Sequence, residues 1–184
     1  MRVEATLLPG VLVIEPRVFR DERGMFAETY HAGRYLSAGL PAEFVQDNVS
    51  RSAQGTLRGL HFQAPPHAQA KLVSVLEGEV FDVVVDIRRG SPIYGEWFGT
   101  DLSAETMRQL YVPAGFAHGF CVTSETALFA YKCSTGYTPT AEGSVRWDDP
   151  DLAIPWPVID PTLSDKDRRA PSFADLSSPF TYDL

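Results

Sequence analysis

Apolar and polar residues alternate along this chain in short segments, and turn-forming residues separate one segment from the next. Valine, phenylalanine, tyrosine and threonine are frequent in the segments, while 14 Gly and 14 Pro are spread between them. This pattern is typical of β-strands joined by tight turns. It predicts ten strands, near residues 11–14, 26–30, 44–49, 57–63, 70–76, 79–88, 93–101, 108–112, 117–123 and 127–135.

Helical patterns are rare in this sequence. The segment HAGRYLSAGL at residues 31–40 favours one short helix that ends at Gly39, and a second helical turn is predicted near residues 164–169. From Asp148 onward the Pro-rich chain is expected to wrap around the strands in an irregular path. Many short strands favour a β-sandwich or small barrel. We therefore predict an all-β fold, with one domain over residues 1–184 and a barrel core at about 44–140.

Charge and hydropathy narrow the choice of partners. A net charge of −8 over 184 residues argues against nucleic acid and anionic membranes. No apolar run is long enough to cross a bilayer, and the N-terminus lacks the charged-then-apolar pattern of a signal peptide. We therefore expect a cytoplasmic protein. Cys121 and Cys133 lie in apolar segments and are expected to be buried free thiols.

Residues 57–72, LRGLHFQAPPHAQAKL, concentrate groups that suit acid–base chemistry. Arg58 and Lys71 are cations that can hold an anionic substrate, and His61 can act as a neutral base, since an unperturbed imidazole titrates near ~6.5. Arg58 and His61 are three residues apart, which places them on opposite faces of a regular strand. Either Gly59 forms a bulge, or one of the two residues acts across a subunit boundary.

Two spacings resemble the motifs of the cupin, or jelly-roll, superfamily. The first runs from Gly55 to His61, with Gly78 further on, and the second is PAGFAH, which ends at His118. Metal-binding cupins carry His-x-His and a later Glu in the first motif, whereas this chain has His-Phe-Gln and no Glu there. A divalent metal usually needs three or more protein ligands. The sequence therefore predicts a jelly roll without a catalytic metal.

A narrower resemblance covers nearly the whole chain. The segments DERGMFAETY, VQDNVSRS, GTLRGLHFQ, HAQAKLV, VFDVVVDIRRGSPIYGEW, YVPAGFAHGF, YKCSTGYTP, WDDP and LSDKD occur in that order. Together they resemble the dTDP-4-dehydrorhamnose 3,5-epimerases and related dTDP-4-keto-6-deoxyhexose epimerases. The resemblance implies a jelly-roll homodimer that needs no cofactor and inverts C3 and C5 of a dTDP-4-keto sugar.

The resemblance also implies roles for particular residues. His61 corresponds to the base, with Asp167 orienting its ring, and Lys71 to the group that stabilises the enolate oxygen. Tyr131 corresponds to the acid on the opposite face. Independently of the resemblance, Asp82 is unusual as a carboxylate on an inner strand, and it is interpreted as an indirect partner that supports His61 through another side chain.

Further positions correspond to substrate contacts in the family. Tyr137 matches a residue that stacks on the nucleotide base, and Phe26 is expected to pack against the thymine. Arg23 and Arg58 suit a diphosphate because a guanidinium binds phosphate oxygens in a bidentate way. The remaining implied contacts are Glu28, Gln46, Asp47, Asn48, His118, Glu142 and Lys166.

The resemblance leaves alternatives open. Gly136 stands where many family members have a second tyrosine, and some relatives epimerise only C3 or only C5. A nucleotide-sugar 3,4-ketoisomerase shares the fold and the nucleotide pocket. Rivals from other classes are a metal-dependent cupin enzyme and a non-catalytic nucleotide-sugar binding module.

Overall fold

The computed structural model describes residues 1–40 and 43–182. Two short α-helices and one 3-10 turn, Pro139–Ala141, accompany the strands. The strands and helices, in chain order, are β1 (Arg2–Ala5), β2 (Leu12–Glu15), β3 (Val18–Asp21), β4 (Gly24–Ala27), α1 (Ala32–Ser37), β5 (Gln46–Ala53), β6 (Leu57–Gln63), β7 (Lys71–Glu77), β8 (Glu79–Asp86), β9 (Trp97–Ser103), β10 (Gln109–Val112), β11 (Phe116–Val122), β12 (Thr126–Cys133), β13 (Glu142–Ser144) and α2 (Asp165–Arg168).

Eleven of these strands form two antiparallel sheets, as in a jelly roll. One sheet has six strands in the order β1-β2-β10-β7-β12-β5, and the other has five in the order β13-β6-β11-β8-β9. β3 and β4 form a separate hairpin. Strands that are neighbours in a sheet are mostly distant in sequence, so each sheet is assembled by long-range pairing. The predicted all-β jelly-roll class is confirmed.

The main hydrophobic core lies between the two sheets. Val73, Val75 and Phe129 come from the six-stranded sheet, while Val84 and Phe120 come from the five-stranded one. The rings of Phe120 and Phe129 stack with their centroids 4.0 Å apart and so join the sheets directly. This apolar packing fixes the spacing between the sheets and leaves a cavity next to it, toward the ends of β5, β6 and β12.

The outer faces of both sheets are covered. Tyr35 of α1 and the following Leu40 pack on the six-stranded sheet. The chain after β13 packs on the outer face of the five-stranded sheet through Val145, Leu152 and Phe180. The structure therefore confirms the prediction that the C-terminal segment wraps around the strands. The predicted core range, 44–140, omits β1, β2 and β13, which extend the two sheets.

Several element boundaries differ from the predictions. β1, β3 and β13 were not predicted, because each has four or fewer residues and none of them is buried, so they carry no clear alternating signal. The strand predicted at 26–30 lies at 24–27, and the strand predicted at 93–101 begins only at Trp97, after a turn at Gly95. α1 occupies 32–37 within the predicted 31–40. In the described part of the chain, no helix is long and apolar enough to cross a membrane.

Candidate active site

A cavity of about 720 Å³ lies between the two sheets and opens beside α2. Side chains from both sheets, from α2 and from the loop after β12 line its walls. Eleven of the fifteen site residues predicted from the sequence contribute to this lining: Gln46, Asn48, Arg58, His61, Lys71, His118, Tyr131, Tyr137, Glu142, Lys166 and Asp167.

Four predicted site residues lie away from this cavity. Arg23 and Phe26 belong to the β3–β4 hairpin, where Arg23 pairs with Asp21 and Phe26 is 69% exposed. Glu28 pairs with Arg34, and Asp47 accepts a hydrogen bond from Lys132 at 3.0 Å. Within one chain, these four residues are not part of the cavity wall.

Gly59 explains how Arg58 and His61 reach the same cavity. His61 pairs with His118 and Arg58 with Phe120, so three steps on β6 face two steps on β11. The extra residue makes a β-bulge and turns both side chains to one side. Gly59 has φ = 140°, and a Cβ there would lie 2.5 Å from the Cα of Gly119. Of the two arrangements left open by the sequence, the bulge is therefore the one observed.

His61 and Asp167 form a hydrogen-bonded pair at the cavity wall. The Nε2–H of His61 donates to Oδ1 of Asp167 over 2.5 Å. A carboxylate only accepts, so the proton sits on Nε2 and Nδ1 carries the basic lone pair. Asp167 is nearly buried, with 3% of its side chain exposed, while His61 keeps 22%. Nδ1 is therefore the atom of this pair that can take a proton.

The surroundings tune both members of the pair. Burial lowers the pKa of His61 below its ordinary value, and the hydrogen bond and charge of Asp167 oppose that shift without cancelling it. Burial alone would raise the pKa of Asp167, but the hydrogen bond from His61, the charge of the His61 ring when it is protonated, and the hydrogen bond from Ser164 outweigh it, so the pKa falls. At neutral pH the imidazole is neutral and its partner is ionised.

Lys71 and Tyr131 occupy the opposite wall. Lys71 opens β7 and Tyr131 lies on β12, both in the six-stranded sheet, whereas His61 belongs to the five-stranded sheet. The Nζ atom of Lys71 lies 5.9 Å from the centroid of the Tyr131 ring. Burial raises the pKa of the Tyr131 hydroxyl, which keeps it protonated, and burial lowers the pKa of Lys71. A bound molecule would therefore lie between a base and an acid.

His118, rather than His61, is the residue that Asp82 contacts directly. The Nε2 of His118 bonds to both carboxylate oxygens of Asp82, at 2.9 and 3.0 Å. Asp82 has no exposed side-chain surface, and burial raises its pKa against the charges of His118 and Lys71. His118 is thus a fixed part of the wall next to His61, its cross-strand neighbour.

A series of hydrogen-bonded side chains lies at the mouth of the cavity. The Tyr137 hydroxyl donates to Oε2 of Glu142 at 3.0 Å, and Lys166 donates to Oε1 at 2.5 Å. These contacts connect the loop after β12 with β13 and α2. Tyr137 is 55% exposed, so its ring is accessible to a flat ligand.

Gln63 lines the cavity but was not among the site residues predicted from the sequence. Its amide nitrogen donates to the carbonyl oxygens of His67 and Gly136, at 2.6 and 3.1 Å. Its amide oxygen accepts from the backbone N–H of Thr138 at 2.9 Å. Gln63 therefore fixes the loop that carries Tyr137. Its position two residues after His61, where metal-binding cupins have a histidine, was the available signal.

The potential metal ligands that line the cavity are not grouped around one point. Over residues 1–40 and 43–182, no group of three or more His, Cys, Asp or Glu side chains is arranged to hold a metal ion. His61 and His118 each use Nε2 for a carboxylate partner. The two sheets thus define a jelly-roll protein whose cavity suits proton transfer to and from a bound organic molecule.

Comparison with known proteins specifies this class further. The family model for dTDP-4-dehydrorhamnose 3,5-epimerase matches residues 5–175. The dTDP-4-dehydrorhamnose 3,5-epimerase of Shigella flexneri is 52% identical over 176 residues, which cover 95% of this chain and 97% of the relative. That of Pseudomonas aeruginosa is 53% identical over 177 residues, with the same coverage.

A solved structure agrees with these relatives. The 3,5-epimerase from Legionella pneumophila, crystallised in complex with dTDP-4-keto-L-rhamnose, has a TM-score of 0.95 at 48% identity and covers 100% of this chain and 99% of its own. The chain therefore belongs to the dTDP-4-dehydrorhamnose 3,5-epimerase family, and it is an isomerase.

The pH dependence of activity follows from the His61 environment. Because burial holds the His61 pKa below 6.5, we expect kcat/KM to be constant near neutrality and to fall only as the pH drops through that lowered pKa. Burial also places the pKa of Lys71 below 10.5, so a loss of activity is expected on the alkaline side as Lys71 loses its proton. A kcat/KM profile between pH 5 and 10 checks both limbs. An acid limb centred above pH 7 would contradict this role for His61.

Proposed function

We propose that this enzyme epimerises a dTDP-4-keto-6-deoxyhexose at both C3 and C5, in the formation of a dTDP-rhamnose-type sugar. The observation that carries the proposal is the placement of His61 and Tyr131 on opposite sheets of a single cavity. Inversion of a carbon requires removal of its proton on one face and return of a proton on the other. The cavity of about 720 Å³ between the two walls has room for a sugar ring.

The chemistry requires three groups. Nδ1 of His61 takes the proton from C3 or C5, and the C–H electron pair moves into the ring to give an enolate with its negative charge on O4. Lys71 stabilises this oxygen as the charge develops. The hydroxyl of Tyr131 then gives its proton to the same carbon from the opposite face. Exchange with solvent returns the proton to Tyr131 and removes it from His61 before the second carbon reacts.

The nucleotide is assigned to the polar side of the cavity. Arg58 faces the diphosphate, and its guanidinium is already oriented by Ser52, whose hydroxyl accepts from Nε and Nη2 at 3.2 and 3.1 Å. The exposed ring of Tyr137 stacks on the thymine. Lys166 adds positive charge near the substrate, and His118 lines the wall beside it. With a net charge of −8 on the whole chain, these few cations supply the local attraction.

A homodimer in the cytoplasm completes the proposal. Phe19, Met25 and Phe26 of the β3–β4 hairpin are 48%, 48% and 69% exposed, which is unusual for large apolar side chains in one small segment. Arg23 and Phe26 are predicted substrate contacts that do not line the cavity of their own chain. Both observations are explained if this hairpin packs on a second subunit and brings Arg23 and Phe26 to that subunit's cavity.

Mixing two impaired variants tests the shared site. We expect Arg23→Ala to raise KM for the dTDP-sugar about tenfold, since one charged hydrogen-bonding partner is lost. If Arg23 serves the partner's cavity, a mixed dimer of Arg23→Ala and His61→Ala chains has one cavity with both changes and one with neither. When the two variants are unfolded, mixed and refolded together, turnover at low substrate concentration should then exceed that of either variant alone. Failure to recover activity, with mixed dimers present, would contradict the shared site.

Turnover without a metal tests the reaction itself. Protein dialysed against a chelator is expected to convert dTDP-4-keto-6-deoxyglucose into the product inverted at C3 and C5, as followed by proton NMR. The base, the acid and the lysine are all supplied by the chain. A requirement for stoichiometric Fe, Mn or Zn would support the metal-dependent alternative. Saturable binding without any turnover would support a binding module.

Epimerisation at a single carbon is the second candidate. A 3'-monoepimerase from Streptomyces bikiniensis, solved in complex with dTDP-quinovose, has a TM-score of 0.88 at 38% identity and covers 92% of this chain and 86% of its own. The same fold therefore accommodates both outcomes. The higher identity to 3,5-epimerases favours inversion at both carbons, and isotope exchange at each carbon distinguishes the two.

A further inference from the structure

Asp167 has a second partner that the reaction scheme does not use. The Ser164 hydroxyl donates to Oδ2 of Asp167 at 2.8 Å, while His61 occupies Oδ1. The backbone N–H of Asp167 in turn donates to the Ser164 oxygen at 3.2 Å. A serine hydroxyl can donate one hydrogen bond and accept others at the same time, so Ser164 can make both contacts at once. Both oxygens of the Asp167 carboxylate are therefore held.

The backbone just before Ser164 is fixed to the strand that carries His61. The N–H of Leu57, the first residue of β6, donates to the carbonyl of Thr162 at 3.1 Å. The N–H of Thr162 donates to the carbonyl of Gly55 at 2.9 Å. The contacts thus form a closed network. It runs from β6 through Thr162, Ser164 and Asp167 to His61, which is itself on β6.

This network of contacts controls the orientation of the His61 imidazole. Without a contact at Oδ2, the Asp167 carboxylate is free to rotate about its Cβ–Cγ bond, and the His61 ring that it holds can tilt. The basic Nδ1 atom would then point away from the substrate carbon for part of the time. Small errors in the placement of a reacting group are costly, because a proton is transferred only over hydrogen-bonding distance.

We infer that Ser164 is a positioning residue for proton abstraction, whose hydroxyl fixes the rotation of the Asp167 carboxylate and through it the orientation of His61. The inference rests on the proposed function, in which His61 is the base. The exposure of Ser164 alone would not predict this role. Substitution of an exposed serine by alanine ordinarily has little effect.

The chain contains a matched control for this motif. The Ser172 hydroxyl donates to Oδ2 of Asp175 at 2.6 Å, and the backbone N–H of Asp175 donates back at 3.2 Å. The spacing and the pair of contacts are the same as for Ser164 and Asp167. Ser172 does not line the cavity, and the carboxylate of Asp175 holds no histidine among the described contacts.

The experiment compares Ser164→Ala, Ser164→Thr and Ser172→Ala with the unchanged dimeric enzyme. We expect kcat to fall roughly tenfold in Ser164→Ala, with the affinity for dTDP unchanged, because orientation is lost while binding is kept. The acid limb of the pH profile should move to lower pH, since the hydrogen bond that His61 donates to Asp167 raises the His61 pKa. Ser164→Thr retains a hydroxyl and should recover most of kcat. Ser172→Ala should match the unchanged enzyme.

Each other result overturns the inference. An unchanged kcat in Ser164→Ala, or a weaker affinity for dTDP with kcat preserved, would show that the hydroxyl does not act through His61. An equal loss of kcat in Ser172→Ala would show a general effect of removing such a turn. In each of these three cases, a full loss of activity in His61→Ala, measured in the same assay, would still support the proposed function. Activity retained in His61→Ala would instead refute the proposed base.

Discussion

Replacing His61 with alanine is expected to lower kcat by about 10³-fold and to leave the affinity for dTDP nearly unchanged. A positioned general base contributes typically 10² to 10⁴ in rate, and the alanine side chain has no group that can take a proton. The nucleotide is assigned to Arg58 and Tyr137, so its binding energy is retained. Coupled turnover assays and calorimetric titration with dTDP measure the two quantities separately.

His67→Ala is the control for this variant. His67 follows the two prolines in the same segment, and it is absent from the cavity wall. We expect its turnover to equal that of the unchanged enzyme. If His61→Ala were folded and still turned over at more than a tenth of the original rate, His61 would not be the base.

Replacing Tyr131 with phenylalanine is expected to separate exchange from inversion. His61 would still remove a proton and return one to the same face, so deuterium would enter the substrate from D₂O with retention of configuration. Inversion requires a donor on the opposite wall, and its rate should fall by about 10² to 10³. Proton NMR follows both processes in one sample, since exchange removes a signal and inversion moves it.

Tyr94→Phe is the matched control for Tyr131→Phe. Tyr94 packs on Phe173 with ring centroids 5.0 Å apart, on the far side of the five-stranded sheet from the cavity. Removing its hydroxyl should change neither exchange nor inversion. Inversion at the original rate in Tyr131→Phe would exclude Tyr131 as the acid.

Much of the fold could be predicted from local sequence patterns. The strands that form the interior, such as β7, β8, β11 and β12, have long runs of apolar or alternating residues, and they were predicted within a few residues. β1, β3 and β13 were not, because their strand conformation depends on pairing with β2, β4 and β6 rather than on their own side chains. Local pattern contains no information on such partners.

The grouping of the four proposed catalytic residues could be predicted from the sequence, but their geometry could not. The family motifs indicated His61, Lys71, Tyr131 and Asp167, and the structure places all four around one cavity. Their arrangement on two opposing walls follows from the sheet order, which sequence spacing does not reveal. The partner of His118 was also not predictable, since Asp82 is brought to it by the pairing of β8 with β11.

Deuterium incorporation provides the most direct test of the central claim. The enzyme is incubated with dTDP-4-keto-6-deoxyglucose in D₂O, and the signals at C3 and C5 are followed by NMR. Removal of a proton by His61 and delivery of another by Tyr131 at each carbon predicts deuterium at both C3 and C5, with inversion at both. Deuterium at one carbon alone would identify a mono-epimerase, and deuterium at neither would contradict the proposed proton transfer.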